Sequence, residues 1–169
     1  SSKTPTYFLG NSHGFNSVHG RMPSVATGAN MANRDLTYIG VSGDGDTASI
    51  GMGQFVHVIR RNLNMVYIVM NNGCYGLTKG QYSPTSEENK ITKSTPFGSI
   101  DHPFNPLALA LGADATFVAR TMDRDVKHMQ AMLIRTNQHK GTSFLEIYQN
   151  CNIFNDGAIE IFTEKSSKA

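Results

Sequence analysis

The segment that decides the fold is residues 36–72, which read LTYIGVSGDGDTASIGMGQFVHVIRRNLNMVYIVMNN. Residues 36–42 are rich in β-branched and aromatic side chains and predict a buried strand. Residues 47–62 carry apolar side chains at helical spacing and end near two arginines, which complement a helix dipole. Residues 65–70 are apolar throughout, as in a strand covered on both faces. Strand, glycine turn, helix and strand together predict a βαβ unit.

The same alternation continues on both sides of this unit. The spacing predicts helices over residues 22–33, 106–111 and 124–139 and strands over residues 115–120 and 144–148. The first 20 residues are rich in Gly, Asn and Ser and predict a loop, and residues 71–101 predict a long functional or mobile loop. The pattern indicates an α/β domain with a mostly parallel sheet over residues 1–164, followed by a frayed tail over residues 165–169.

Composition and charge exclude several classes of protein. The chain has 169 residues, the size of one domain, and its 39% hydrophobic content is typical of a globular protein. The net charge of +2 gives no broad basic field for nucleic acid. The longest apolar run, residues 65–70, is far shorter than the roughly 20 residues that span a bilayer, and no signal-peptide core is present. We expect a cytoplasmic chain without nucleic-acid or membrane partners, N-terminally incomplete because it begins in a polar stretch without methionine.

Polar side chains follow the two predicted strands of the βαβ unit. The glycine–aspartate motif, Gly43-Asp44-Gly45-Asp46, follows the first strand, and Asn71-Asn72 follows the second. Ligands of open α/β sheets collect at this edge, where a helix N-terminus offers N–H groups to phosphate. Carboxylate and amide oxygens suit Mg²⁺, so Asp44 and Asn72 predict a diphosphate bridged to the protein by Mg²⁺. The alternative is that the motif is an ordinary turn.

These residues and three further stretches resemble a known family. The glycine–aspartate motif with Asn71-Asn72 looks like the thiamine diphosphate motif of thiamine-dependent enzymes. The stretches HGR (residues 19–21), YGLTKGQYSPT (75–85) and QNC (149–151) resemble the β subunit of 2-oxoacid:ferredoxin oxidoreductases, particularly the 2-oxoglutarate type. The resemblance covers nearly the whole chain. It implies a three-layer thiamine diphosphate-binding fold with a mostly parallel sheet.

The resemblance also implies cofactor ligands. Asp44 and Asn72 would hold Mg²⁺ by their side chains, and Cys74 would hold it by its backbone carbonyl. The contacts to thiamine diphosphate would come from Ser1, Ser2, His19, Gly43, Asp44, Gly45, Asp46, Asn72, Gly76, Leu77 and Thr78. In the family, a lysine matching Lys3 helps to hold the substrate carboxylate, which is sensible chemistry for an ammonium group. The segment from Leu77 to Lys79 would act as a plug over the reacting centre, and its flanking glycines suit a mobile gate.

Cys151 matches one ligand of an iron–sulfur cluster. The family's β subunit carries one [4Fe–4S] cluster on four cysteines, and Cys151 matches the last of them. The other three have no counterpart in this sequence, so we expect the cluster in the complete subunit only and a free thiol here.

The activity implied by the resemblance is the oxidative decarboxylation of a 2-oxoacid with coenzyme A, giving an acyl-CoA, CO₂ and reduced ferredoxin. The partners would be the α subunit, which supplies the glutamate that activates the cofactor, and ferredoxin, so we expect the isolated chain to be inactive. The choice between 2-oxoglutarate, pyruvate and branched-chain acids stays open. Two other functions also stay open: a non-oxidative thiamine diphosphate-dependent decarboxylase, and a nucleotide- or sugar-phosphate-binding module without catalysis.

Overall fold

A computed structural model describes residues 5–163 of the chain. The helices are α1 (Pro5–Phe8), α2 (Met22–Ala32), α3 (Met52–Arg61), α4 (Pro106–Gly112) and α5 (Val126–Gln138). The strands are β1 (Ile39–Gly43), β2 (Met65–Asn71), β3 (Cys74–Tyr75), β4 (Gln81–Tyr82), β5 (Phe117–Met122) and β6 (Thr142–Tyr148). A π-helical segment (Asp46–Ile50) precedes α3, and a 3₁₀ turn (Glu160–Phe162) follows β6.

Four strands form one parallel sheet in the order β1-β2-β6-β5. The two central strands, β2 and β6, are buried along nearly their whole length because helices cover both faces of the sheet. β3 and β4 pair as a small antiparallel hairpin inside the long predicted loop. The prediction of a mostly parallel α/β sheet is confirmed.

Helices pack on both faces of the sheet and complete a three-layer fold. On one face, the rings of Phe55, Tyr67 and Phe144 contact one another with centroids 5.0–6.0 Å apart, and side chains of α2, α3 and α4 pack around them. On the other face, β2 and β6 present Ile68 and Leu145 to methionine and leucine side chains of α5. Successive strand residues point to opposite faces, so Phe144 and Leu145 belong to different layers. None of the helices between residues 5 and 163 has the length and apolar character needed to cross a bilayer.

Several predicted boundaries differ from the structure. β1 begins at Ile39 rather than at residue 36, and α1 forms one helical turn within the predicted N-terminal loop. β5 begins at Phe117 rather than at residue 115, because the backbone N–H of Ala115 donates to Ala110 O and continues the end of α4. The helix predicted over residues 47–62 divides at Gly51, where the π-helical segment ends and α3 begins. The predicted tail, residues 165–169, lies outside the described residues.

Gly51 and Gly53 form a matched pair for testing this helix junction. A Cβ on Gly51 would lie 2.7 Å from Asp46 O and 3.0 Å from the Gly20 Cα, whereas a Cβ on Gly53 would meet nothing within 4 Å. We predict that Gly51→Ala lowers the free energy of unfolding by about 1–3 kcal/mol through overpacking. Gly53→Ala should raise it by roughly 0.5–1 kcal/mol through helix propensity. Urea denaturation of the full chain measures both, and equal effects of the two substitutions would contradict the close approach at Gly51.

Candidate functional site

The glycine–aspartate motif and Asn71-Asn72 leave the sheet at the same edge. β1 runs parallel to β2 with Gly43 opposite Met70, so the residues that follow both strands are neighbours. Gly45 occupies the N-cap position of the helical segment that follows β1, and no side chain caps this segment. Its first backbone N–H groups can therefore bind an anion. A Cβ on Gly45 would collide with the Tyr75 ring, so a side chain at this position requires that ring to move. The predicted juxtaposition of the two strand ends is confirmed.

Asp44 is a buried carboxylate, only 2% exposed, held by two hydroxyl groups. Its Oδ2 accepts hydrogen bonds from Ser83 Oγ at 2.5 Å and from Thr85 Oγ1 at 2.7 Å. Burial raises the pKa of the Asp44 carboxyl, and the bonds from Ser83 and Thr85 oppose that rise. The sequence analysis assigned no role to Ser83 or Thr85. Both lie in the stretch YGLTKGQYSPT, and their hydroxyl groups are the feature from which a hydrogen bond to a buried carboxylate could have been predicted.

A second buried carboxylate, Glu146, is connected to Asp44 through Asn71 and Thr85. Glu146 on β6 is fully buried, and its Oε1 accepts from Asn71 Nδ2 at 2.8 Å. Its Oε2 accepts from Arg120 Nε at 2.6 Å, across the β5–β6 register in which these two residues face each other. Asn71 Oδ1 lies 2.8 Å from Thr85 Oγ1, so the single hydroxyl proton of Thr85 is shared between Asn71 and Asp44. A charged network therefore joins β5, β6 and β2 to the hydroxyl that contacts Asp44. Sequence reasoning missed Glu146 and Arg120.

Asn72 closes a tight turn over Cys74. Its Oδ1 accepts from the Cys74 backbone N–H at 3.3 Å, and Asn155 Nδ2 donates to the Asn72 carbonyl at 2.9 Å. The donor set expected for Mg²⁺ is a carboxylate, an amide oxygen and a backbone carbonyl, all hard oxygens that suit this ion. The side chain of Asp44, the side chain of Asn72 and the carbonyl of Cys74 therefore fit Mg²⁺ in chemical type.

Cys74 and Cys151 lie side by side behind this turn. Burial, with the neighbouring Cys151 thiol, raises the pKa of Cys74 to about 12. Burial also pushes the pKa of Cys151 upward, but backbone N–H groups of Phe154 and Ile153 outweigh it, so the pKa of Cys151 is lowered. Within residues 5–163, no group of three or more His, Cys, Asp or Glu side chains could hold a metal ion. The assignment of Cys151 as a cluster ligand in the complete subunit stays a prediction.

His19 and Asp46 approach each other beside the motif. Asp46 Oδ1 accepts from His19 Nδ1 at 3.0 Å and from the Gly20 N–H at 2.8 Å, and Oδ2 accepts from Ser42 Oγ at 2.5 Å. The His19 side chain is 73% exposed, so its remaining nitrogen is accessible to a ligand. The assignment of Asp46 as a cofactor contact stays a prediction, with both carboxylate oxygens already bonded within the protein.

The predicted plug forms the turn between β3 and β4. The Gly80 N–H donates to Tyr75 O at 2.8 Å, and the Lys79 N–H donates to Gly76 O at 3.1 Å. Lys79 has a positive φ of 74°, and the Leu77 side chain at the tip is 87% exposed. Gly76 and Thr78 lie in this same turn. The remaining predicted residues, Ser1, Ser2 and Lys3, lie outside the described residues.

A cavity of about 420 Å³ adjoins the site on the side of β5 and β6. Its wall includes Asn71, Asn72, Lys90, Arg120 and Tyr148. The Arg120 guanidinium lies 4.7 Å from the centre of the Tyr148 ring, a cation–π contact that fixes the arginine beside Glu146.

Comparisons with known proteins point to one family. The family described as thiamine pyrophosphate enzyme, C-terminal TPP binding domain, matches residues 1–147. The 2-oxoglutarate oxidoreductase subunit KorB of Mycobacterium tuberculosis is 50% identical over 168 residues, which cover 99% of this chain and 44% of that protein. The 2-oxoacid:ferredoxin oxidoreductase subunit beta of Saccharolobus solfataricus is 42% identical over 156 residues, which cover 92% of this chain and 51% of that protein.

A solved structure is also similar. The 2-oxoglutarate:ferredoxin oxidoreductase from Magnetococcus marinus, with 2-oxoglutarate, coenzyme A and succinyl-CoA bound, matches with a TM-score of 0.80 and 42% identity. The match covers 82% of this chain and 48% of that one. The chain thus spans about half the length of the relatives it matches.

The Glu146–Arg120 pair yields a stability prediction. Arg120→Met removes the partner of a fully buried carboxylate, and we expect the free energy of unfolding to fall by about 3 kcal/mol. The double variant Arg120→Met/Glu146→Gln should recover much of that loss, because no uncompensated charge remains. Arg124→Met is the control, since Arg124 and Glu160 form an exposed pair at 3.9 Å, and it should change stability by about 0.5 kcal/mol or less. Equal losses for Arg120→Met and Arg124→Met in urea denaturation would contradict the role of the buried pair.

Proposed function

Because the chain belongs to the thiamine pyrophosphate enzyme family as a C-terminal TPP-binding domain, we propose that it is the thiamine diphosphate-binding part of a 2-oxoacid:ferredoxin oxidoreductase β subunit. The observation that carries this proposal is the buried Asp44 carboxylate at the end of β1, beside Asn71-Asn72 and an uncapped helix start. The relatives from Mycobacterium tuberculosis and Saccharolobus solfataricus support the subunit assignment.

The proposed reaction is the oxidative decarboxylation of a 2-oxoacid with coenzyme A to an acyl-CoA, CO₂ and reduced ferredoxin. The relative from Magnetococcus marinus holds 2-oxoglutarate, coenzyme A and succinyl-CoA, which favours 2-oxoglutarate as the substrate of the complete enzyme. We further propose a cytoplasmic complex in which an α subunit of the same enzyme completes the site and ferredoxin takes the electrons.

The residues of this chain divide the work of holding the cofactor. Bound thiamine diphosphate supplies the carbanion chemistry of such enzymes. In the proposal, Asp44, Asn72 and the Cys74 carbonyl hold Mg²⁺, and the free N–H groups after Gly45 take the diphosphate. The turn that carries Leu77 and Lys79 excludes water from the reacting centre, and Lys3 holds the substrate carboxylate.

Cys151 has its proposed role in the complete subunit only. There it would be one of four thiolate ligands of a [4Fe–4S] cluster. The lowered pKa of the Cys151 thiol supports a thiolate at this position. We expect the 169-residue chain to be isolated without iron.

Calorimetric titration of the full chain with thiamine diphosphate, with and without Mg²⁺, tests the cofactor site. We predict Mg²⁺-dependent binding that Asp44→Ala abolishes, because the substitution removes the charged ligand of the ion. Asp35→Ala is the matched control, since Asp35 is exposed before the opposite end of β1 and should leave binding unchanged.

ADP with Mg²⁺ provides the comparison ligand in the same titration. Binding of ADP but not of thiamine diphosphate would instead indicate a nucleotide-binding module. Mg²⁺-independent binding, or binding that survives Asp44→Ala, would contradict the proposed ligand set.

Lys79 can be tested in the enzyme assembled with its α subunit. We predict that Lys79→Ala lowers kcat on the order of tenfold, because a truncated plug no longer excludes water from the reacting centre. The affinity for thiamine diphosphate should hardly change, because the plug covers the reacting centre rather than the diphosphate. Lys93→Ala, at another exposed loop lysine, serves as the control and should retain full kcat. An unchanged kcat for Lys79→Ala would remove Lys79 from the site.

A further inference from the structure

A β-turn formed by residues 83–86 lies beside Asp44. The Ser86 N–H donates to Ser83 O at 3.0 Å, and the Ser83 N–H donates back to Ser86 Oγ at 2.7 Å. Pro84 occupies the second position of the turn, where its fixed φ favours this conformation. Ser83 is 1% exposed and Ser86 is 6% exposed. The turn is therefore buried at both ends and closed by two hydrogen bonds.

The two serine hydroxyl groups of this turn bind to the ends of two different strands. Ser83 Oγ donates to Asp44 Oδ2 at 2.5 Å, directly after β1. Ser86 Oγ donates to Gly73 O at 2.7 Å, shortly after the end of β2. Gly73 lies in the tight turn that carries the amide and carbonyl ligands proposed for the ion. The turn at residues 83–86 therefore connects the two halves of the proposed ligand set.

The hydroxyl bonds to Asp44 fall on one carboxylate oxygen. Ser83 donates to Oδ2, and Thr85 shares its proton between that oxygen and Asn71 Oδ1. A Ca²⁺ ion takes about six to eight oxygen ligands and can use both oxygens of one carboxylate, whereas Mg²⁺ demands a near-octahedral shell and keeps several waters. With Oδ2 committed to a hydroxyl group, Asp44 presents a single oxygen to a cation, which suits Mg²⁺ better.

We propose that Ser83 and Ser86 are positioning residues, which fix the separation between Asp44 and the tight turn that follows β2. Ser83 also restricts Asp44 to one oxygen and thereby favours Mg²⁺ over Ca²⁺ at this site. The inference rests on the proposed function, in which Asp44, Asn72 and the Cys74 carbonyl hold the ion. Neither serine is a ligand of the ion in this proposal, and each acts through the group that it binds.

Calorimetric titration of the full chain with thiamine diphosphate, in Mg²⁺ and separately in Ca²⁺, tests the selectivity. We expect Ser83→Ala to weaken binding in Mg²⁺ on the order of tenfold, as outer-shell substitutions do. Binding in Ca²⁺ should weaken less, because the released Asp44 carboxylate can then offer both oxygens to the larger ion. A ratio of the two affinities that Ser83→Ala leaves unchanged would overturn the inference.

Two further serine variants separate the roles in the same titrations. Ser86→Ala keeps the hydroxyl bond on Asp44 but releases the Gly73 carbonyl, so it should weaken binding in both ions alike. Ser143→Ala makes the same change at a similarly buried serine on β6, whose hydroxyl donates to Thr136 O, and should change neither affinity. Losses in Ser143→Ala that match those in Ser83→Ala and Ser86→Ala would refute the positioning roles.

A crystal structure of the unaltered chain grown with Mn²⁺ and no cofactor tests the same inference independently. Mn²⁺ shares the octahedral oxygen shell of Mg²⁺. We expect one Asp44 oxygen on the ion and the other on Ser83 Oγ. An ion held by both carboxylate oxygens, or no ion at Asp44, would overturn the inference. An ion bound as expected, in a chain that does not bind thiamine diphosphate, would instead count against the proposed function.

Discussion

The burial of the Asp44 carboxylate is the constraint on which the rest of the site depends. A carboxylate with 2% exposure requires hydrogen bonds or an opposite charge, because leaving an ion unpaired in the interior is costly. The loop after β4 supplies Ser83 and Thr85 for this purpose. Thr85 is itself placed by Asn71, and Asn71 by Glu146. The long loop between β2 and α4 is therefore ordered around one carboxyl group at the end of β1.

The glycine–aspartate motif contains two carboxylates with different surroundings. Asp44 lies at the end of β1 and is held at Oδ2 by two hydroxyl groups rather than by a positive charge, which leaves its own charge available to a cation. Asp46 lies two residues further along and binds His19, Gly20 and Ser42 within the protein. Residue type alone cannot separate these roles, because both residues are aspartates in the same four-residue motif. The residues that give the two aspartates different surroundings come from the N-terminal loop, β1 and the loop after β4.

The sequence was informative where local pattern determines structure. The βαβ unit, the apolar β2 strand and the meeting of Asp44 with Asn71-Asn72 follow from periodicity and from the rule that parallel strands end at one edge. Glu146 and Arg120 could not be foreseen, because their pairing depends on β6 lying between β2 and β5. The hydrogen bond between the Tyr67 and Thr47 hydroxyl groups was equally hidden, since Tyr67 resembles the other apolar residues of its strand until the fold places it beside Thr47. The break at Gly51 depends on the close approach of Gly20, which lies 31 residues away by sequence number.

We propose that Asp44 and Asn72 hold Mg²⁺ and, through it, the diphosphate of thiamine diphosphate. A crystal structure of the chain grown with thiamine diphosphate and Mn²⁺, with the metal located by its anomalous scattering, is the decisive test. We expect one metal ion between the carboxyl ends of β1 and β2, with an Asp44 carboxylate oxygen and Asn72 Oδ1 as ligands. A metal ion bound elsewhere, for example beside Glu146 in the cavity at β5 and β6, or a diphosphate away from the helix start at Gly45, would contradict it.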